Sequence, residues 1–403
     1  MDLKKVRQDF PILQEYSGGK LITYFDNACQ SLRPKAVVDA IDQYYYKSSA
    51  CSGRSMHRLG TEVTHNCDQV RERVAKFLNA SKKEEIIFTR NTTEGINLVA
   101  NSFAWQKDDV VLISDKEHNS NLIPWQILAK KRGVILKIVP FREDNTFNLP
   151  AFEQLLDKKV KLVSLGYTSN LDGVSIPAEE IIRKAHQNGS LVLLDAAQAA
   201  PRRQINVSAL DVDFLALSGH KMLGPSGIGV LYGKYQLLEQ LEPFLVGGAT
   251  VFSSTYDSCQ FLPPPEKFEA GLQDYAGIIG LGAAVKYLEG IGFETIEKQE
   301  LLLNEYITAQ ISNIPKLRLI GPADPKLRSG IVSFYIEDID SHRIALMLDQ
   351  MAGIMVRSGQ HCVHSWFNAH RIEGSVRASV YFYNTQEEAE LFVNCVHKIR
   401  KVL

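Results

Sequence analysis

No two of the six cysteines form a Cys-x-x-Cys pair: Cys29, Cys51, Cys67, Cys259, Cys362 and Cys395 are scattered along 403 residues. That spacing suggests neither a disulfide framework nor a zinc site, and no metal is expected. An excess of charge is missing as well. With 45 Lys and Arg against 46 Asp and Glu the net charge is −1, which gives no reason to expect nucleic acid or an acidic membrane as a partner. The opening MDLKKVRQDFPIL lacks the apolar core of a secretory signal, and no later apolar run has the length to cross a bilayer. A cytoplasmic location and a small ligand are the expectations. Internal repeats and low-complexity runs are also lacking. What is there is ordinary globular composition, 45% hydrophobic and 23% charged, enough for about two domains.

The stretch LVLLDAAQAAPRRQINVSALDVDFLALSGHKMLGP, residues 191–225, holds two short apolar runs, each delivering a polar group where it ends. The first ends at Asp195, with Gln198 one turn later; the second ends at Ser218-Gly219-His220-Lys221. Such runs, bounded by Gly, Pro and small residues, predict strands of a buried parallel sheet, and ligands of open α/β sheets bind beyond the carboxyl ends of those strands. Asp195 and Lys221 are therefore expected to face one crevice. An acid that holds a protonated pyridine nitrogen, and a lysine that forms an imine with an aldehyde, are what pyridoxal phosphate (PLP) needs from a protein.

Other strand ends aim at the same crevice. EEIIFTRNTTEGINLVANSFAW predicts a strand running into a helix, with Asn91 and Glu94 at capping-box spacing. Thr92 and Thr93 then gather at a helix N-terminus, where free amides and the helix dipole favour a phosphate. In DDVVLISDKEHNSNLIPWQ the strand Val110 to Ser114 is followed by Glu117-His118-Asn119, and the His118 imidazole is placed to stack on a flat aromatic ring. VKLVSLGYTSNLDG brings Asn170 within reach of that ring's phenolic oxygen. The loop SSACSGRSMHRLG could carry Arg54, His57 and Arg58 toward an anion. Strands alternating with helices over about 150 residues predict a doubly wound α/β fold.

Beyond Lys221 comes another strand, then VFSSTYDSCQFLPPPEKFEAG, whose prolines and weak helical period predict a hairpin or extended excursion. From GIIGLGAAVKYLEGIG onward long helices alternate with short strands, and the last helix is capped by Thr385 with Glu388 at the box position. This predicts a large domain over 22–275 with a mostly parallel sheet, and a smaller α+β domain built from 1–21 and 276–403. Residues up to about Leu21 are expected as an amphipathic helix and turn.

In the smaller domain, RSGQHCVHSWFNAHRIEGSVRAS sets Cys362 in a glycine-containing loop beside His361 and His364, with Arg357 upstream and Arg377 downstream. Cations near a thiol favour its thiolate, the reactive form, which makes Cys362 the candidate nucleophile. Cys67 and Cys395 fall inside helical patterns and are expected as buried, inert thiols. No pattern assigns Cys29, Cys51 or Cys259.

Through T-R-x-T-T-E-G-I-N, E-H-x-x-N-x-x-P-W-Q, S-N, D-A-A-Q, L-S-G-H-K-x-x-G-P-x-G-I-G, F-E-A-G, R-x-G-x-H-C and V-R-A-S-x-x-x-Y-N-T, the chain resembles the SUF-type, or group II, cysteine desulfurases over essentially its whole length. These are class V aminotransferase-like enzymes of PLP fold type I. The resemblance implies Lys221 as the Schiff-base lysine and proton shuttle, Asp195 on the pyridinium nitrogen, and His118 stacked on the ring. Gln198 and Asn170 would contact the phenolic oxygen, with Thr92, Thr93, Ser218 and His220 around the phosphate. Arg377 would clamp the substrate carboxylate, a task suited to a planar guanidinium, with Arg357, Asn170 and His361 on the substrate side. Cys362 would take the sulfur. The implied reaction converts L-cysteine to L-alanine, the sulfur passing through an enzyme persulfide toward iron-sulfur cluster assembly or another transfer pathway. A homodimer and a protein sulfur acceptor or scaffold are implied with it. A lyase acting on L-selenocysteine, or on the carbon-sulfur bond of cysteine or cystine, would use the same pocket. From another class comes a PLP-binding scaffold subunit with little activity.

Two departures from the bacterial pattern matter. After F-E-A-G the family's Thr, which reaches the phosphate of the neighbouring subunit, is replaced by Leu272, followed by Gln273 and Asp274. The Leu side chain cannot donate a hydrogen bond, so Gln273, or a backbone N–H of the same turn, becomes the candidate for that contact. Before the catalytic cysteine the first of two histidines is here Gln360. The segments DNACQSLRP and ACSGRSMHR also differ, which suggests another branch of the family.

Overall fold

The structure of the protein, a computed structural model, describes residues 2–17 and 19–402. Seven strands form the large sheet: β1 (Ile86–Thr89), β2 (Val110–Ser114), β3 (Ile135–Val139), β4 (Val160–Gly166), β5 (Leu191–Asp195), β6 (Phe214–Ser218) and β7 (Gly229–Gly233). Their order is β1-β7-β6-β5-β4-β2-β3, and β7 alone among them runs against its neighbours. β2 and β6 are buried along their whole length, as unbroken Val, Leu, Ile and Phe runs require when helices cover both faces. In register, Gly166 lies beside Asp195 and Asp195 beside Ala216, so the carboxyl ends of β4, β5 and β6 finish at one level. That level is the floor of the site.

Around this sheet lie α1 (Lys35–Lys47), α2 (Arg58–Leu78), α3 (Thr92–Ser102) and α4 (Tyr275–Ile291). Asn91 caps α3 as expected, its side chain accepting from the Glu94 amide at 3.1 Å. A Cβ on Gly229 would stand 2.6 Å from the Asn91 backbone, so only glycine there lets the amino end of α3 press against β7. The segment after β7 is the expected hairpin, Val251–Ser254 paired with Cys259–Phe261, and it is largely exposed.

The smaller sheet contains β8 (Leu317–Ile320), β9 (Ile331–Ile336), β10 (Arg357–Gly359) and β11 (Ser375–Ser379) in the order β8-β9-β11-β10, all antiparallel. It packs with α5 (Phe293–Ile311), α6 (Ser341–Ala352) and α7 (Gln386–Val402) around a second core. The capping box of α7 is complete: Thr385 Oγ1 accepts from the Glu388 amide at 3.2 Å, and Glu388 Oε2 accepts from the Thr385 amide at 3.0 Å. Among the described residues no single helix is long and apolar enough to cross a membrane.

The division between the cores differs from the boundaries expected at 21 and 275. Phe10 and Leu13 are fully buried in the large core, with Phe10 against Tyr287 and Tyr383. Phe25 instead enters the small core, and Thr23–Tyr24 pairs in parallel with Ile354–Met355. The N-terminal segment is a short helix, Leu3–Gln8, a 3-10 turn, Pro11–Gln14, and a small ladder of Tyr16–Ser17 with Lys20–Leu21. Helix α4 also joins the large core through Leu281, Ala284, Val285 and Leu288. Its glycines explain why: a Cβ on Gly282 would lie 2.4 Å from the Val70 side chain, so α4 and α2 meet backbone to side chain. Apolar periodicity marks a buried face without naming the core that buries it.

Candidate active site

A cavity of about 240 Å³ opens beyond the carboxyl ends of β2, β4, β5 and β6, between the two domains. Lys221 and Asp195 both line it. Asp195 is 8% exposed and its Oδ1 accepts from the Ala197 amide at 2.9 Å. Burial pushes its carboxyl up from the ordinary value against the pull of Lys221. Burial in turn pushes the Lys221 ammonium down, against the pull of Asp195. A buried carboxylate short of donors is suited to a protonated ring nitrogen, and a lysine reluctant to hold its proton is suited to reaction with an aldehyde.

The far end of the cavity is the amino terminus of α3. Ser218 Oγ accepts from the Thr92 amide at 2.9 Å and lies 2.7 Å from Thr92 Oγ1, while Thr93 Oγ1 lies 2.7 Å from Ser120 Oγ. The Glu94 amide is taken by Asn91, which leaves the Thr93 amide unclaimed among the described residues. His220 also lines the cavity, and burial, followed by the Lys221 charge, holds its imidazolium down at about 4. Hydroxyls, a free amide and a helix dipole make an anion cup.

Between these ends stands His118. Its Nδ1 accepts from the Ser120 amide at 3.1 Å, so its hydrogen sits on Nε2. Burial, then Lys221, Arg377 and Arg357, hold its imidazolium down at about 3, and the ring is neutral. Glu117 beneath it accepts from Ser114 at 2.5 Å, Asn121 at 2.7 Å and the Gly166 amide at 2.9 Å, and burial raises its carboxyl to about 7. Gln198 Nε2 donates to the Ala28 carbonyl at 2.6 Å, and its buried Oε1 has no partner among the described residues. Asn170 Nδ2 donates to the His361 carbonyl at 2.8 Å.

The near end is built from the small domain and an N-terminal turn. Arg377, on β11, is 2% exposed; its Nη1 donates to the Asn170 carbonyl at 2.9 Å and its Nη2 reaches Asp26 at 3.3 Å. Its Nε has no partner among the described residues. Cys362 and His361 both have left-handed backbones, with φ of 60° and 50°. The Cys362 loop is fastened to the large domain by the Asn119 amide, which donates to the Cys362 carbonyl at 2.7 Å, and by Asn119 Nδ2 at 2.9 Å from His364 Nδ1. Two successive non-glycine residues in that conformation mark a backbone held against its preference.

Arg357 and Arg377, the cations expected near Cys362, line the same cavity as its thiol. Arg357 Nη1 donates to Cys29 Sγ at 2.9 Å. His361 is buried beside Ser375 Oγ at 2.8 Å, with its imidazolium pressed down to about 2 by burial and then Arg377, so it orients the loop as a neutral ring. It also lines the cavity, where its buried Nδ1 has no partner among the described residues. Cys67 and Cys395 are buried, as their helical patterns indicate.

Arg54, His57 and Arg58 lie outside the cavity; His57 instead caps α2, its Nδ1 accepting from the Gly60 amide at 3.2 Å. Gln273 also lies outside the cavity of its own chain, with Nε2 donating to the Ala270 carbonyl at 3.1 Å. Three lining or supporting residues had no sequence signal of their own: Cys29, Ser120 and Asp26. All are brought in by a turn or a helix start rather than a strand end. The donor set fits PLP: an amine, an acid, a flat neutral ring and an anion cup occur in that chemical arrangement in one cavity.

The sequence model of the family described as Aminotransferase class-V matches residues 23–392. A cysteine desulfurase of Dickeya dadantii is 40% identical, with 100% of this chain and 97% of that protein covered. Among solved structures, the apo cysteine desulfurase from Thermococcus onnurineus NA1 matches with a TM-score of 0.94 at 39% identity, covering 99% of this chain and 98% of that one. A cysteine desulfurase from Escherichia coli in an S-sulfonic acid form matches with a TM-score of 0.92 at 32% identity, covering 100% and 99%. Matched in sequence and fold from end to end, and carrying the cavity that this chemistry needs, the chain belongs to the class V aminotransferase family and, within it, to the PLP-dependent cysteine desulfurases.

Proposed function

We propose that this enzyme converts L-cysteine to L-alanine and holds the released sulfur as a persulfide on Cys362. The observation that carries the reading is that Lys221 and Asp195 share one cavity with a thiol on a fastened left-handed loop and a buried arginine. Lys221, Asp195 and His118 would hold PLP, with Asn170 and Gln198 at its oxygen edge and Thr92, Thr93, Ser218 and His220 at its phosphate. When bound, PLP supplies the electron sink that weakens bonds at the α and β carbons of an amino acid.

The residues do the rest. Arg377 receives the substrate carboxylate, with Arg357 and Asn170 beside it, which fixes the Cα–H bond toward Lys221. Lys221 Nζ, discouraged by burial from keeping a proton, takes the one on Cα and later returns a proton to the product. Cys362 Sγ bonds to the substrate sulfur as the carbon-sulfur bond breaks, and the bonding pair stays with the carbon fragment that becomes alanine. Cysteine and one enzyme thiol thus give alanine and one persulfide, with no outside oxidant.

PLP-loaded protein incubated with L-cysteine without reductant should yield alanine together with added sulfur in the intact mass. Cys362→Ser should keep the cofactor's colour and lose the added sulfur. Alanine at the parent rate from that variant, with all sulfur released as sulfide, would instead favour lyase chemistry.

The working unit is a cytoplasmic homodimer that passes its sulfur to a protein acceptor, for iron-sulfur cluster assembly or another transfer. Support comes from the hairpin, whose Phe252 is 74% exposed, and from Leu272, 76% exposed on the 271–274 turn. Both are large apolar surfaces that a two-fold contact would cover. Gln273 would then face the partner's phosphate. A monomeric mass by light scattering of the loaded protein would count against this assembly.

A further inference from the structure

Two thiols, not one, line the cavity: Cys362 on the small-domain loop and Cys29 on the N-terminal turn. Cys29 is held rigidly. Its amide donates to the Asp26 carbonyl at 3.1 Å, the Ala28 amide before it donates to Ser379 Oγ at 2.9 Å, and the Ala28 carbonyl accepts from Gln198 at 2.6 Å. Its sulfur takes the Arg357 guanidinium at 2.9 Å and lies near enough to Lys221 and Arg377 to act on their charges.

The sheet register gives this contact a reason. Arg357 of β10 stands directly opposite Arg377 of β11, and like charges in that position repel. Each guanidinium is met by a group from the same turn, Arg377 by Asp26 and Arg357 by Cys29. The turn thus places a sulfur where the other arginine has a carboxylate. Arg357 also lies five residues before Cys362, so one segment presents the Cys362 sulfur and puts a cation on Cys29. An unpartnered donor, Arg377 Nε, is buried in the same cavity wall.

We infer that Cys29 is a second sulfur-carrying site that takes the sulfane sulfur from the Cys362 persulfide. In the exchange, Cys29 Sγ bonds to the outer sulfur and the sulfur-sulfur bond to Cys362 breaks. The bonding pair returns to Cys362 Sγ as a thiolate, so there is no net oxidation and one sulfur has moved. Arg357 stabilises anionic sulfur on the receiving side, and the persulfide shortens the gap by one bond of about 2 Å. Cys362 is then free for a second turnover before any acceptor arrives. The inference rests on the proposed persulfide at Cys362.

Holoenzyme mixed with L-cysteine, without acceptor or reductant, should release two alanines per protomer in its burst. Alkylation and peptide mapping should then find persulfide on both Cys362 and Cys29. Cys29→Ser should give one alanine and persulfide on Cys362 alone, and Cys362→Ser should leave Cys29 without sulfur. Persulfide confined to Cys362 in the wild type, with a burst of one, overturns the relay and leaves the desulfurase reading intact. Sulfur on Cys29 in Cys362→Ser, or a Cys29–Cys362 disulfide with sulfide released, overturns the relay in favour of direct attack or a resolving thiol. Absence of protein-bound sulfur anywhere overturns both readings. The mapping is done on the wild type, so it does not depend on either variant folding.

Discussion

At the cofactor end of the cavity the key side chains spring from the carboxyl ends of one buried sheet or from the start of α3, and most are already bonded to the protein: Asp195 to Ala197, Ser218 to Thr92, Thr93 to Ser120. At the substrate end the parts come from far apart in the chain. Asp26 and Cys29 on an N-terminal turn meet Arg377 and Arg357 from 351 and 328 residues away. That end keeps an unpartnered buried donor, Arg377 Nε, and a strained loop at His361–Cys362. The rigid half is a seat for a group that stays; the half with a spare donor and a held loop is built for molecules that come and go.

Substitutions can sharpen that contrast. Lys221→Ala removes the group at the junction of the two ends, and alanine formation should fall by roughly 10²- to 10⁴-fold, the range for a positioned acid-base residue. Borohydride should then no longer fix the cofactor to the chain, and a lysine still labelled would show another attachment point. Arg377→Lys tests the substrate end alone. It keeps the charge and loses the planar pair of donors, so KM for L-cysteine should rise roughly ten- to a hundred-fold, the worth of one charge-assisted bond. PLP affinity should be unchanged; a parallel loss of cofactor would blur the two ends into one.

Gln273→Leu tests the cofactor end from across the proposed dimer. Its amide must first leave the Ala270 carbonyl, so the effect should lie near the low end for a bond to a charged group, roughly ten-fold in PLP affinity. An unchanged dissociation constant would leave the phosphate to Ser218, His220 and α3.

The smallest expected effect lies beneath His118. The folded value of Glu117, about 7, lies above its ordinary 4.5, so the native protein binds that proton more tightly than the unfolded chain. Its contribution to stability is full below about 4.5 and is lost as pH rises through about 7. The urea midpoint of Glu117→Gln relative to wild type should therefore improve across that window. A difference that ignores pH would mean that Ser114, Asn121 and the Gly166 amide already satisfy the carboxylate.

By itself the sequence determined the doubly wound sheet and the chemistry at its strand ends, because those signals are local: a buried run ends, and the next few residues must face the crevice. Asp195, Lys221, His118, Asn170, Thr92 and Thr93 all line the cavity for that reason. Caps at Asn91 and Thr385 were legible for the same cause, since both partners lie within three residues. Tertiary structure alone decided which core receives Phe10, Phe25 and α4, because an apolar face says that it will be buried and not by what. It also decided which thiol meets Arg357. Nearness in sequence pointed to Cys362, five residues on, and packing of the two domains brought Cys29 across 328 residues to 2.9 Å from that guanidinium. Electrostatic pairing depends on distance through space, which separation along the chain does not give.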